Sequence, residues 1–148
     1  MQRVFGIVTV VILLVACGQS KKNDLGLTPT ELLKGYALVS ESSVNTETGW
    51  NEIKWGNDRV TWKDSSGNVT RTTFMTFGEN DVSYAKQRLW LENLFQPDEV
   101  KTLGQNIVAC MKGQKGTDEW VIRDRKVSCI TTGSTLIVGV EPTEPTAK

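Results

Sequence analysis

The residues of this 148-residue chain that could do chemistry are few: cysteines at 17, 110 and 129, adjacent acidic pairs Asp98-Glu99 and Asp118-Glu119, and no histidine. Without histidine the chain cannot build Ser-His-Asp or Cys-His nucleophile activation, a histidine zinc site or an HExxH protease. Catalysis by two carboxylates remains open in principle, but sugar hydrolysis needs them about 5 to 9.5 Å apart, and sequence alone supplies no such separation. Neighbouring carboxylates at a helix start or in a turn are more often caps and solvated charge, so a carboxylate-based hydrolase is the least favoured expectation. Gly-rich phosphate loops, calcium loops and CxxC redox pairs are absent. No catalytic, cofactor-binding or metal-ligating residue is assigned, and the expectation is a non-enzyme.

The N-terminus carries the most specific pattern. Met1 and Arg3 supply positive charge, Val4 to Val15 is an apolar run broken by Gly6 and Thr9, and a polar stretch, Gln19 to Asp24, follows. These are the charged, apolar and cleavage regions of an export signal. The run is too short for a permanent span, which takes about 20 apolar residues. Leu14-Val15-Ala16-Cys17 resembles, at every position, the lipobox of bacterial lipoproteins. That resemblance implies cleavage before Cys17, a diacylglycerol on its thiol and acylation of the freed amine. Each buried methylene adds about 0.8 kcal/mol, and two or three chains hold what one would release. The residue after the lipidated cysteine is Gly18 and not Asp, which by the family's rule points to the outer membrane where the organism has one. A plain secretory signal is the alternative reading.

Compartment then fixes the other cysteines. With Cys17 lipidated, Cys110 and Cys129 form an even remainder in an exported protein, and a disulfide between them is the natural expectation. Two reduced buried thiols are the alternative. Removing residues 1–16 leaves 132, enough for one domain. Arg3 leaves with the leader, so 16 Lys and Arg face 17 Asp and Glu in the mature chain. That balance argues against a nucleic-acid partner, which would need clustered basic charge.

Residues 17–27, the lipidated cysteine and a polar, glycine-bearing stretch, read as a flexible tether, 28–141 as a single β-rich domain, and 142–148, with two prolines, as a disordered tail. Thr28-Pro29-Thr30-Glu31 is an N-cap, an N1 proline and a capping-box glutamate, predicting a short helix that Gly35 ends. Tyr36 to Ser40 reads as a strand and Glu41 to Gly49 as a loop. Trp50 to Trp55, Arg59 to Lys63 and Val69 to Phe77, separated by turn residues, predict a three-strand meander. Val82 to Leu91 lacks a clean apolar stripe and is read as a further strand. Pro97-Asp98-Glu99 starts a helix over 97–112, with Val100, Leu103, Ile107 and Cys110 at helical spacing; Gly104 weakens it. Trp120 to Ile122, Val127 to Thr132 and Thr135 to Val140 are strands, with Arg123 to Lys126 a solvated hairpin turn. The fold class is α+β and β-rich: an antiparallel meander, open or barrel-like, with one packed helix.

Contacts are sought among the tryptophans. Trp55 and Trp62 read as core, and Trp50, on the opposite face of its strand, is the candidate contact residue. The run Leu32 to Ser40 resembles the start of bacterial lipocalin-like domains, where a short helix and a glycine precede an aromatic first strand. That resemblance implies a carrier of a small apolar ligand, with a cavity lined by Trp55, Trp62, Phe74 and Leu136. The expected function is thus a lipid-anchored lipoprotein of the cell envelope, attached to the membrane through acyl chains on Cys17. Its small non-catalytic domain would bind an unknown protein, as an inhibitor of a hydrolase would, or a small apolar ligand.

Overall fold

Alternation along the strands turns every second side chain to one face, and in the central strands of a seven-stranded antiparallel sheet that face is buried. The computed structural model describes residues 23–36, 42–45, 48–78, 81–112 and 117–143. In chain order the elements are α1 (Pro29–Leu32), β1 (Ser42–Asn45), β2 (Trp50–Trp55), β3 (Asp58–Ser65), β4 (Asn68–Phe77), α2 (Asp81–Leu94), α3 (Pro97–Lys112), β5 (Thr117–Ile122), β6 (Arg125–Thr132) and β7 (Thr135–Pro142). Strand order is β1-β2-β3-β4-β7-β6-β5. After β4 the chain runs through both helices to the far edge, then meanders back until β7 pairs with β4. The fold is therefore α+β and β-rich. The sheet stays open, with β1 and β5 as its edges, so the barrel-like alternative does not hold.

The core lies between the sheet's inner face and the two long helices. Val60, Phe74, Val138, Cys129 and Val127 project from successive strands and are each fully buried. Trp62, Phe74 and Leu136 belong to this core and Trp55 packs at its margin. Instead of lining a ligand cavity, they pack with Trp90 in one cluster, in which the Trp90 ring lies 6.0 Å from that of Phe74. A buried indole needs an acceptor, and Trp90 Nε1 donates to Thr72 Oγ1 at 3.2 Å while the same hydroxyl donates to the Thr61 carbonyl at 2.9 Å.

Two expectations about segment type are corrected. Val82 to Leu91 lies within helix α2, whose buried residues Ser83, Gln87, Trp90, Leu91 and Leu94 form one stripe at helical spacing. Two of its five positions are polar, and Val82 and Tyr84 face outward, which scatters the apolar residues around the wheel. Ser42 to Asn45, expected as loop, pairs with β2 as an edge strand. Tyr36 is not in a strand, and residues 37–41 lie outside the described residues.

The domain's limits also move. Leu25 and Leu27, expected in the tether, are buried, and their backbone brackets Val69 through Leu25 N–H to Val69 O (2.7 Å) and Val69 N–H to Leu27 O (2.8 Å). Val69 faces inward because the register shifts after Lys63: Lys63 opposes Arg71 but Asp64 opposes Val69, so Thr70 is an extra residue in β4. At the other end Pro142 closes β7 and Thr143 N–H reaches the Asp124 carbonyl, while residues 144–148 lie outside the described residues.

The short helix α1 is capped as expected. Thr28 Oγ1 accepts from Glu31 N–H, and the Glu31 carboxylate accepts from Thr28 N–H. Helix α3 spans Pro97–Lys112 as predicted. Its last turn is tied to β6 by a disulfide between Cys110 and Cys129, with Cα atoms 6.7 Å apart. A loop of that length contributes about 3 kcal/mol in the chain-entropy picture.

Replacing Thr72 by Val should keep the core volume but strand the indole N–H of Trp90. Urea unfolding should show a loss of about 1 to 3 kcal/mol; an unchanged midpoint would mean that this bond carries no net stability.

Candidate functional site

Of the residues singled out by sequence, Cys110 and Cys129 come together in the disulfide, whereas Trp50, Glu99 and Glu119 lie apart on β2, α3 and β5. Cys17 lies outside the described residues. Trp50 sits half-buried on the sheet face away from the helices, with Lys63 Nζ 5.2 Å from its ring centroid. Glu99 is consumed at the start of α3, where it accepts from Gln96 N–H at 2.9 Å and pairs with Arg123 at 2.7 Å. Glu119 pairs with Lys126 across β5 and β6 at 2.9 Å. The basic cluster is split. Arg123 and Asp124 form the turn, whereas Arg125 is half-buried and structural, donating to the carbonyls of Leu94 and Leu25 and lying 5.5 Å from the Phe95 ring centroid.

One titratable group is deeply buried. Asp58, 3% exposed, accepts from Ser83 Oγ at 2.7 Å and from Lys86 Nζ at 2.6 Å. Burial pushes its carboxyl pKa up, but hydrogen bonds from Lys86, Ser83 and Thr76 outweigh that and hold it below the usual carboxylate value. Tyr36 donates to the Lys86 carbonyl, stacks on Trp55 at 4.7 Å, and has its phenol pKa raised by burial. This cluster explains the buried Ser83 of α2: Ser83 and Lys86 dock the helix start onto an acidic residue of β3. Its groups are all engaged with one another and hold α2 in place.

The concavity lies on the other side of that helix. α2 and α3 meet at Phe95, Gln96 and Pro97, and a groove of about 890 Å³ is lined by both helices. From α2 it is lined by Tyr84, Gln87, Leu91 and Phe95, and from α3 by Val100, Gly104 and Val108. Each set is one helical stripe beside the stripe that packs on the sheet. Arg88 and Glu92 pair across one rim at 2.8 Å, and Lys101, on the other, has no ion-pair partner among the described residues. The volume falls in the range typical of small-molecule sites, about 300 to 1,000 Å³.

Two features of the groove have no use inside the fold. Gln87 is 7% exposed and its Nε2 has no hydrogen-bond partner among the described residues, although a buried unsatisfied donor costs about 1 to 3 kcal/mol. Gly104 costs α3 about 1 kcal/mol relative to alanine, yet a Cβ placed there would meet nothing within 4 Å. Val108, 41% exposed, leaves an apolar side chain at the open end. The glycine was visible in the sequence as a defect in a good helix. Gln87 was not, because its burial depends on how α2 packs.

Comparison of the chain with protein-family models, with curated proteins and with solved structures finds no match.

Folding lowers the Asp58 pKa, so the stabilisation it brings is present above the unfolded carboxyl value of about 4 and is lost as pH falls through the lower folded value. Asp58→Asn should therefore be less stable than wild type at neutral pH, with the gap closing as pH falls below about 4. Melting temperatures across that range test this; a constant gap would contradict it.

Proposed function

We propose that this chain is a lipid-anchored lipoprotein of the cell envelope, held by acyl chains on Cys17, whose single domain is a non-catalytic binding module acting through the α2–α3 groove. The groove carries the reading: it combines an apolar floor, a charged rim and two lining residues that the fold itself leaves without purpose. The lipobox-like Leu14-Val15-Ala16-Cys17 supports the anchor, and Gly18 supports the outer membrane as its location.

The position of the groove suits a membrane protein. Arg125 binds the carbonyls of both Leu25 and Leu94, so the chain emerges from the domain beside the groove's closed end. Leu25 is eight residue steps beyond Cys17, a stretch that spans at most about 28 Å when extended. An anchored domain would hold the groove within that reach of the bilayer.

A second reading, an inhibitor or assembly factor gripping another protein through the uncovered sheet face, is favoured by the apolar row Met75, Ile137 and Ile130, which lie opposite one another on β4, β7 and β6. Around that row the face is laced with ion pairs, Glu52 with Arg59, Arg71 with Glu141 and Glu119 with Lys126.

Two outcomes test the proposal. Cys17→Ala should move the protein from the membrane to the soluble envelope fraction, and continued membrane fractionation would refute the anchor. A photoreactive residue at Val108 should crosslink to an envelope component in intact membranes, whereas one at Ile130 should not; crosslinks from Ile130 alone would favour the sheet face.

A further inference from the structure

Resting on that reading, we propose that the α2–α3 groove binds one acyl chain of a phospholipid drawn from the anchoring bilayer, with its ester carbonyl accepting from Gln87 and its phosphate facing Lys101. The fit begins with the unmet donor. Gln87 lines the groove, its Nε2 is buried with no hydrogen-bond partner among the described residues, and rotation about its terminal torsion would turn the amide toward a ligand there. An acyl ester brings a carbonyl with free lone pairs. A partner helix would not, since its backbone carbonyls are spent on its own hydrogen bonds except in the last turn.

Gly104 lies about level with Gln87 across the groove, counting back along both helices from the bend at Phe95 to Pro97. Its missing side chain opens the α3 wall where nothing else in the chain needs the space. A slender methylene chain fits such an opening, with Leu91, Phe95 and Val100 as floor. Lys101 on the rim has no ion-pair partner among the described residues, so it can meet a phosphate without breaking an existing pair. The tether completes the argument, because Cys17 lies at most about 28 Å of chain from Leu25, which shares Arg125 with the end of α2.

The test uses the full lipidated chain in its own membranes, loaded with a phospholipid carrying a diazirine in its acyl tail. After irradiation and digestion, adducts with the phospholipid's mass should map to groove positions of α2 and α3. Gly104→Leu, which fills the opening and favours the helix, should remove them. Gln87→Leu should lower their yield about five-fold, the worth of one hydrogen bond. A melting temperature no lower than that of wild type and an intact disulfide show that the variants are folded; if Gly104→Leu fails that check, Gln87→Leu decides. Adducts confined to residues 18–22, adducts unaffected by the variants, or label recovered only as free fatty acid would each overturn the inference. If the Val108 probe captures a protein while the lipid leaves the groove unlabelled, the phospholipid is refuted and the binding module stands.

Discussion

The domain depends on burying one large indole without leaving its N–H unpaired. Trp90 is the largest fully buried side chain, and it sits where α2 meets the middle of the sheet. Its partner Thr72 must be a residue that both accepts and donates, because the hydroxyl also serves the Thr61 carbonyl. That constraint fixes the rotation of α2 about its axis. Once Trp90 points at Thr72, Ser83 and Lys86 fall on Asp58, Leu91 and Leu94 enter the core, and Gln87 lies at the border between core and groove.

The second constraint is charge-assisted and lies at the opposite end of α2. Arg125 leaves its hairpin turn to bind two backbone carbonyls from distant parts of the chain, those of Leu25 and Leu94. The helix end at Leu94 gains a donor for an unpaired carbonyl, as helix ends require. The same guanidinium fastens the point where the chain enters the domain. Arg125 thereby fixes the end of α2, beside the groove, relative to the point where Leu25 joins the domain.

Most of the strands were legible because their alternation is local. Trp50–Trp55, Asp58–Ser65, Asn68–Phe77 and Thr135–Pro142 carry their inner faces in every second residue, with turn residues between them. Helix α3 was legible for the same reason at a different period. Helix α2 was not, since its buried stripe includes Ser83 and Gln87, and polar residues count against burial unless a partner from another element is known. Asp58, 25 residues before Ser83, is that partner for the serine. The short edge strand Ser42–Asn45 escaped for lack of alternation; its pairing with β2 defines it. The candidate site was legible only as a misplaced glycine.

By itself the sequence determined the fold class, the capped helix at Thr28 and the span of α3, and, on the expectation that Cys17 carries lipid, the pairing of Cys110 with Cys129. Each follows from spacing or counting, which need no knowledge of what lies across the core. Tertiary structure decided that the sheet stays open, that Leu25 and Leu27 belong to the domain, and that Trp62, Phe74 and Leu136 fill a core instead of enclosing a ligand. It also placed the concavity outside the core, between two helices. These outcomes turn on long-range contacts, above all the return of β7 to the side of β4, which leaves both helices on one face with the groove between them.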